Sequence, residues 1–141
     1  MRLVDANVLL YAINPATAHH ERARTWLDEA LEGPETVGFA WTVLLAVIRI
    51  STSPVIFERP LDAAVACDIV RGWLARPFAM VVEPTARHLD LLAGLLAEAG
   101  TAGNLVADAH LAAVAAEHDA AIVSFDADFG RFAGIRWSRP G

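Results

Sequence analysis

Aspartates directly follow two apolar segments that have the composition of short buried strands. Asp5 ends the segment at residues 3–4, and Asp126 and Asp128 follow the segment at residues 122–124. In parallel sheets ligands bind beside the carboxyl ends of the strands, so these three acids are expected at one edge of a sheet. Carboxylate oxygens are the ligands that Mg²⁺ and Mn²⁺ prefer in proteins, and the pattern therefore indicates a hard-metal site.

A fourth acid, Asp108, lies early in a segment with helical character, four residues after Asn104 and therefore on the same helix face. Each of these acids also has an ordinary structural interpretation, because aspartates at strand ends often form turns and helix caps. Asn7 has the same two interpretations, a cap of the first helix or a polar neighbour of the acids. The residue pattern alone leaves both open.

The composition excludes several classes of enzyme. All 11 cationic side chains are arginine, and the absence of lysine excludes P-loop phosphate transfer, Schiff-base chemistry and the lysine-assisted aspartyl phosphorylation of receiver domains. It therefore also disfavours a receiver-like signalling domain, although such a domain would explain the sheet and the aspartates. A single cysteine, Cys67, excludes an internal disulfide and a thiolate zinc site, and we expect it to be a small core residue. The net charge of −6 has the wrong sign for holding nucleic acid by bulk electrostatics, so a polyanionic substrate would need a metal ion, an arginine cluster or a basic partner.

The length of 141 residues predicts a single domain spanning residues 1–141. Apolar segments predict strands at residues 3–4, 36–40, 78–82, 121–125 and 135–137. Helical periodicity predicts helices at residues 6–12, 18–31, 41–50, 61–74 and 104–118, and another with Thr85 as its N-cap that ends at Gly100. This alternation predicts an α/β fold in three layers, α/β/α, with a short central parallel sheet. No segment reaches the roughly 18 apolar residues of a membrane span or has the layout of a signal peptide, so we expect a cytoplasmic protein.

The five histidines give no metal-ligating pattern. His19 and His20 are adjacent, so their rings lie on different helix faces and are expected to be solvated. His110 comes two residues after the helical acid, and we expect it to pack or hydrogen-bond near the cleft rather than to share a ligand. His88 and His118 lie in polar helix stretches and are expected to be exposed.

Three segments together resemble the signatures of PIN-domain ribonucleases and, more narrowly, of the VapC toxins of bacterial toxin–antitoxin pairs. They read LVDANVLLY from residue 3, GNLVADAHLAA from residue 103 and SFDADF from residue 124. Each motif is weak alone, but the combination covers the whole chain in order. The resemblance implies a PIN-like fold and a toxin that acts as a Mg²⁺- or Mn²⁺-dependent endoribonuclease, hydrolysing phosphodiester bonds in RNA.

The resemblance also implies roles for particular residues. The expected site consists of the metal-binding acids Asp5, Asp108 and Asp126, the accessory acid Asp128, the polar supports Asn7 and Ser124, and Arg49 as a cation that neutralises charge developing on the phosphate. In the mechanism that the family suggests, cations held by the aspartates activate a water for in-line attack on the phosphodiester.

One position departs from the family pattern. PIN toxins usually place a glutamate within a pattern like Leu-x-Glu-Phe-x-Arg, whereas here Ala46 occupies the position of the acid and Arg49 keeps its place. We favour a metal shell completed by the remaining aspartates and water, because several close carboxylates would repel one another without a cation. The alternative is a catalytically weak or inactive PIN module that acts by binding antitoxin or RNA.

The resemblance further implies partners. We expect a homodimer that pairs through helices in the first half of the chain, and a small VapB-like antitoxin whose arginine or lysine enters the acidic site. The complex would be a heterotetramer or larger, with DNA bound only through the antitoxin and no membrane involved. The apolar composition, with four tryptophans, and the charge of −6 agree with an apolar interface and a cationic partner.

Overall fold

A five-stranded parallel sheet forms the centre of the computed structural model, which describes residues 1–141. The strands are β1 (Arg2–Val4), β2 (Val37–Ala40), β3 (Ala79–Val82), β4 (Ala121–Val123) and β5 (Trp137–Ser138). Their spatial order is β3-β2-β1-β4-β5, and every neighbouring pair is parallel. The chain therefore moves outward from β1 in one direction and later crosses to the other side, which makes the end of β1 the switch point of the sheet.

Six helices cover the sheet in a three-layer α/β/α arrangement, as the alternating pattern predicted. They are α1 (Ala6–Ile13), α2 (His20–Leu31), α3 (Trp41–Ser51), α4 (Ala63–Leu74), α5 (His88–Ala99) and α6 (Val106–Glu117). Two short 3₁₀ turns, Gly103–Leu105 and Ala127–Arg131, precede α6 and follow β4. No helix is both long and apolar enough to cross a membrane.

The core explains why the central elements are so apolar. Strand β2 is buried at every position, as expected for a parallel strand that is covered on both faces. Helix α6 is buried around most of its circumference, at Leu111, Val114 and four alanines. Because alanine has a small side chain, α6 packs closely against its neighbours, and this fixes the position of Asp108 in its first turn.

Two predicted boundaries are wrong for identifiable reasons. The strand predicted at residues 121–125 ends at Val123, because the Phe125 N–H donates to Asn7 Oδ1 (3.1 Å) instead of continuing the strand ladder. Thr85 is not the N-cap of α5, which begins at His88. The N–H and hydroxyl of Thr85 instead donate to Glu117 Oε1, at 2.8 and 2.6 Å.

Cys67 was predicted to be a core residue, and this prediction is wrong because the thiol lies on an exposed face of α4. The helix packs inward through Ala66 and Val70, which are four residues apart and share one face. Cys67 follows Ala66 by one position, and a rotation of about 100° per residue turns its side chain away from that face.

Candidate active site

The ends of β1 and β4 lie side by side, because Val4 pairs with Val123 in the parallel register. The next residue on each strand, Asp5 and Ser124, therefore meet at the carboxyl edge of the sheet. The Ser124 hydroxyl donates to Asp5 Oδ2 at 2.7 Å, and Ser124 is fully buried. Asn7, in the first turn of α1, donates from Nδ2 to Ser124 Oγ at 3.1 Å. The predicted polar supports are thus in contact with the first acid.

The acids after β4 are held by the same network. The Asp126 N–H donates to Ser124 Oγ at 2.9 Å. Asp126 Oδ1 in turn accepts from the Asp128 N–H at 2.9 Å and caps the 3₁₀ turn Ala127–Arg131. Arg131 Nε lies 3.6 Å from Asp128 Oδ1 across this exposed turn. The short spacing of the two acids therefore produces a tight turn that presents both carboxylates together.

Helix α6 brings the fourth acid to the same place. One carboxylate oxygen each from Asp108, Asp126 and Asp128 lie within 4.8 Å of one another. Asp5 is outside this trio, but with Asp108 it lines a cavity of about 580 Å³ between α1, α3, α5 and α6. Asp128 therefore belongs to the three acids whose oxygens lie close together, whereas Asp5 lines the cavity next to them.

The acids affect one another electrostatically. Burial, and to a smaller extent repulsion from Asp126, Asp5 and Asp128, together raise the pKa of Asp108 to about 6. Burial also raises the pKa of Asp5, although hydrogen bonds from Ser124 and Ala6 oppose the shift. Because each carboxylate makes ionisation of the next less favourable, the cluster fits a divalent cation that would neutralise them together.

The departure from the family pattern lies in the cavity wall. Ala46 is half-buried and lines the cavity with Asp5 and Asp108, so a longer acidic side chain at this position would point toward the acids. Thr42, one turn earlier on α3, lines the same wall. Arg49 is exposed in the last turn of α3 and does not line the cavity.

Sequence reasoning missed a histidine network at the rim of this cavity. His110 lines the cavity, and its Nδ1 lies 2.9 Å from His88 Nε2. His88 Nδ1 lies 2.8 Å from Glu117 Oε2, so the prediction that His88 is exposed is wrong. The partners are 22 and 29 residues apart in the chain, and no local pattern in the sequence indicates these contacts. The expectation that His110 forms a hydrogen bond near the cleft is confirmed.

The charges in this network also shift its pKa values. Burial lowers the pKa of His110, and the neighbouring His88 lowers it further. Burial acts to raise the pKa of Glu117, but hydrogen bonds from Thr85 and His88 outweigh it and hold the pKa below its usual range. Glu117 is therefore a carboxylate that accepts hydrogen bonds.

The adjacent residues His19 and His20 differ in burial and in their contacts. His19 is exposed as expected, and its ring stacks on Phe125 with centroids 4.4 Å apart. His20 is half-buried, and its Nδ1 lies 2.8 Å from the Tyr11 carbonyl oxygen. The prediction of a solvated ring is therefore wrong for His20, because its contact with the end of α1 buries it.

Comparisons with known proteins agree with this geometry. A family model described as PIN domain matches residues 2–135. Ribonuclease VapC37 from Mycobacterium tuberculosis is 55% identical over 140 residues, which cover 99% of this chain and 97% of the relative. Ribonuclease VapC33 from Mycobacterium tuberculosis is 39% identical over 140 residues, covering 99% of this chain and 98% of the relative.

Solved structures show the same fold. VapBC2 from Rickettsia felis, bound to a DNA fragment from its promoter, matches with a TM-score of 0.71 at 19% identity, covering 98% of this chain and 97% of that chain. VapC20 from Mycobacterium tuberculosis, a sarcin-ricin loop cleaving toxin, matches with a TM-score of 0.69 at 21% identity, covering 96% and 99%. At these identities the likeness concerns the fold alone.

Proposed function

The chain belongs to the PIN-domain family, among the VapC ribonucleases, and from this premise we propose that it is a divalent-metal-dependent endoribonuclease that hydrolyses phosphodiester bonds in RNA. The observation that carries the proposal is the acidic trio Asp108, Asp126 and Asp128, whose oxygens lie within 4.8 Å of one another. Asp5 lines the adjoining cavity, which is large enough to admit a phosphodiester. Acids in this arrangement suit phosphoryl chemistry better than a purely structural role.

The residues present fit a hard divalent cation. Their donor atoms are all carboxylate oxygens, which Mg²⁺ and Mn²⁺ prefer. The pKa of Asp108 is raised by burial and by repulsion from the other acids, and a cation would relieve this repulsion. Asp108, Asp126 and Asp128 would hold the ion, with Asp5 beside them. When bound, such an ion neutralises charge on the phosphate and lowers the pKa of a coordinated water.

The protein's other residues hold these acids in position. Ser124 orients Asp5 through the 2.7 Å hydrogen bond to Oδ2, and Asn7 fixes Ser124 from α1. The exposed guanidinium of Arg49 would contact the RNA backbone outside the cavity, where its permanent charge offsets that of a phosphate. Water would complete the coordination shell at the cavity wall formed by Ala46.

We further propose that the chain is the toxin of a type II toxin–antitoxin pair and is blocked by a VapB-like antitoxin. Its structural neighbours include VapBC2 from Rickettsia felis, bound to a DNA fragment from its promoter, and a DNA-bound VapBC from Salmonella typhimurium. The net charge of −6 and the acidic cavity are complementary to a basic antitoxin side chain. In this proposal DNA is contacted through the antitoxin, and the toxin assembles as a homodimer within the complex.

Two assays test the proposed function. The purified protein should cleave labelled total RNA in Mg²⁺ or Mn²⁺ and lose that activity in EDTA. Its expression in bacteria should stop growth, and co-expression of the neighbouring small antitoxin gene should restore growth. If the protein binds RNA or antitoxin but cleaves no RNA with either metal, the chain is instead the inactive binding module that Ala46 suggested.

A further inference from the structure

Three aromatic rings lie beside the loop that carries Asp126. The Phe125 ring contacts the Tyr11 ring edge-on, with centroids 5.3 Å apart. The His19 ring stacks on the Phe125 ring, with centroids 4.4 Å apart and an angle of 21° between the two planes. Tyr11 and His19 are also in contact, at 5.3 Å. The rings of Tyr11, His19 and Phe125 therefore form one contiguous group, which we call the aromatic platform.

His19 is the outermost ring of the aromatic platform. Tyr11 and Phe125 are half-buried, whereas His19 is exposed. His19 precedes α2 in the N-cap position, but its side chain makes no capping hydrogen bond. Tyr11 lies 5.3 Å from each of the other two rings, so it packs against their shared edge and does not cover the outer face of His19. That face is therefore open to a planar ligand.

Neighbouring hydrogen bonds hold the aromatic platform in place. His20 Nδ1 lies 2.8 Å from the Tyr11 carbonyl oxygen, and this contact ties the start of α2 to α1. The Phe125 N–H donates to Asn7 Oδ1 at 3.1 Å, which fixes the backbone beneath the Phe125 ring. Because these groups are already ordered, a ligand that stacks on His19 has few side chains to immobilise.

The aromatic platform and the acidic trio lie on two sides of the same loop. Phe125 and Asp126 are consecutive residues, so their Cα atoms are about 3.8 Å apart. The Phe125 ring contacts α1 and the start of α2, whereas the Asp126 carboxylate lies with the other acids of the trio beside α6. A strand with one phosphate at the trio therefore has a neighbouring nucleotide close to the platform.

Arg22 adds a positive charge next to the aromatic platform. This exposed residue follows His19 by three positions, and its guanidinium carbon lies 5.9 Å from the centre of the Phe125 ring. Its Nε donates to the Pro140 carbonyl oxygen, which holds the side chain over the ring. The other guanidinium N–H groups can donate to a phosphate. Aromatic faces beside a cationic side chain are typical of sites that bind single-stranded nucleic acid.

We propose that the outer face of His19 stacks on an unpaired nucleobase of the bound RNA, next to the phosphate received by the acidic trio. The proposal rests on the proposed function, because RNA must reach the acids. Unpaired bases in single strands, loops and bulges can turn outward and stack on an aromatic side chain, whereas paired bases stack on one another. Stacking uses the face of the imidazole and does not depend on which nitrogen carries a proton. Phe125 is a positioning residue that supports the ring from behind.

The test compares RNA strands with and without bases. A fluorescein-labelled adenylate octamer and an abasic ribose-phosphate octamer are titrated by anisotropy in Ca²⁺, and a gel confirms that both strands stay intact. Because the two strands carry the same phosphates, the ratio of their affinities isolates the contribution of the bases. A residue with a merely structural role would change both affinities together and leave this ratio unaltered.

Two variants of His19 form a matched pair. His19→Ala removes the ring, whereas His19→Phe keeps an aromatic face without the ring nitrogens. His118→Ala is the control, since it removes the same side chain at the opposite end of α6 from Asp108, where His118 contacts the Glu83 carbonyl oxygen.

The wild-type protein, His118→Ala and His19→Phe should all bind the adenylate octamer more tightly than the abasic octamer. His19→Ala should lower the ratio of affinities by about 5-fold or more, as expected for one stacked base, and leave the affinity for the abasic octamer unchanged. Phe125→Leu should lower the ratio as well, because the His19 ring loses its support. An unchanged ratio in His19→Ala overturns the inference, and so does a ratio that falls as far in His19→Phe as in His19→Ala.

The two proposals can fail separately. Cleavage of RNA in Mg²⁺ together with an unchanged ratio in His19→Ala would overturn the role of His19 and leave the ribonuclease function standing. A ratio that falls in His19→Ala but not in His19→Phe, in a protein that cleaves no RNA with Mg²⁺ or Mn²⁺, would support the role of His19 and overturn the ribonuclease function.

Discussion

Two of the four acids, Asp5 at the cavity and Asp126 in the acidic trio, also cap helical turns. Asp5 Oδ1 accepts from the Ala6 N–H at 2.7 Å and begins α1, and Asp126 Oδ1 accepts from the Asp128 N–H at 2.9 Å. The structural and functional interpretations of these residues are therefore compatible. Because each cap fixes one oxygen, the carboxylates hold their positions despite their mutual repulsion.

The raised pKa of Asp108 predicts how the metal-free protein responds to pH. Its folded-state pKa of about 6 exceeds the ordinary 3.8, so between these values the native state binds more protons than the unfolded state. The contribution of Asp108 to stability is therefore lost as pH rises from about 4 to 7. In EDTA at pH 7, Asp108→Asn should raise Tm by about 2 to 5 °C, and the gain should shrink toward pH 4.

Thermal unfolding at several pH values checks this prediction, with Asp68→Asn as control because Asp68 is exposed and pairs only with Arg71. A lower Tm for Asp108→Asn at pH 7 would contradict it, since the ionised carboxylate would then stabilise the metal-free fold.

The position of Ala46 gives a second residue-level prediction. Since Ala46 lines the cavity with Asp5 and Asp108, Ala46→Glu should add a ligand and tighten Mn²⁺ binding by about tenfold, equivalent to ~1.4 kcal/mol. Calorimetric titration compares it with Thr25→Glu, which adds the same charge on an exposed position of α2. No gain over the Thr25→Glu control would mean that another ligand already fills this part of the shell.

At the scale of elements, Ser124 connects β1, β4 and α1. Its buried hydroxyl donates to Asp5 and accepts from the Asn7 side chain and the Asp126 N–H. Ser124→Ala would leave buried donors unsatisfied, so we expect a loss of about 1 to 3 kcal/mol in the free energy of unfolding. Denaturant unfolding measures this loss. As the control, Ser138→Ala at an exposed position of β5 should leave the free energy of unfolding nearly unchanged. Equal stability of the two variants would show that the hydroxyl network does not hold these elements together.

Among the elements, features that depend on local sequence were predicted, whereas contacts between distant residues were not. Apolar segments and helical periodicity predicted the alternating elements, because both patterns are local in the sequence. The positions of the acids at the strand ends were predicted because these acids directly follow apolar segments in the sequence. The ties from Glu117 to Thr85 and His88 were missed, since they join α6 to the start of α5 across many residues. The contribution of Asp128 to the acidic trio depends on the exact form of a turn, which residue spacing alone does not fix.

The whole molecule carries apolar surface that a partner would cover. Trp41 and Leu45, one turn apart on α3, are 46% and 58% exposed. Beside them, Ile48, Val70 and Leu74 line a shallow groove between α3 and α4. Exposed apolar side chains grouped in this way are typical of an interface, and they agree with the expectation of a homodimer formed by helices in the first half of the chain.

Light scattering at tens of micromolar tests the dimer. The wild-type protein should have the mass of two chains, and Leu45→Glu should shift it toward one, because an unpaired charge at an apolar interface is costly. Val55→Glu is the control, since Val55 is 91% exposed in a loop outside the groove. A monomeric wild-type protein at this concentration would contradict the expectation.

The central claim is that the acidic cluster cleaves RNA with a divalent cation, and the most direct test is the rate of RNA cleavage in Mn²⁺ by matched aspartate variants. Asp5→Asn and Asp108→Asn each remove a charge without changing volume, whereas Asp68→Asn does so far from the cluster. Since metal-assisted stabilisation of a phosphoryl transition state is worth several kcal/mol, the first two variants should lose about 100-fold or more in rate, and Asp68→Asn should match the wild-type protein. Cleavage at the wild-type rate by folded Asp5→Asn or Asp108→Asn would contradict the claim.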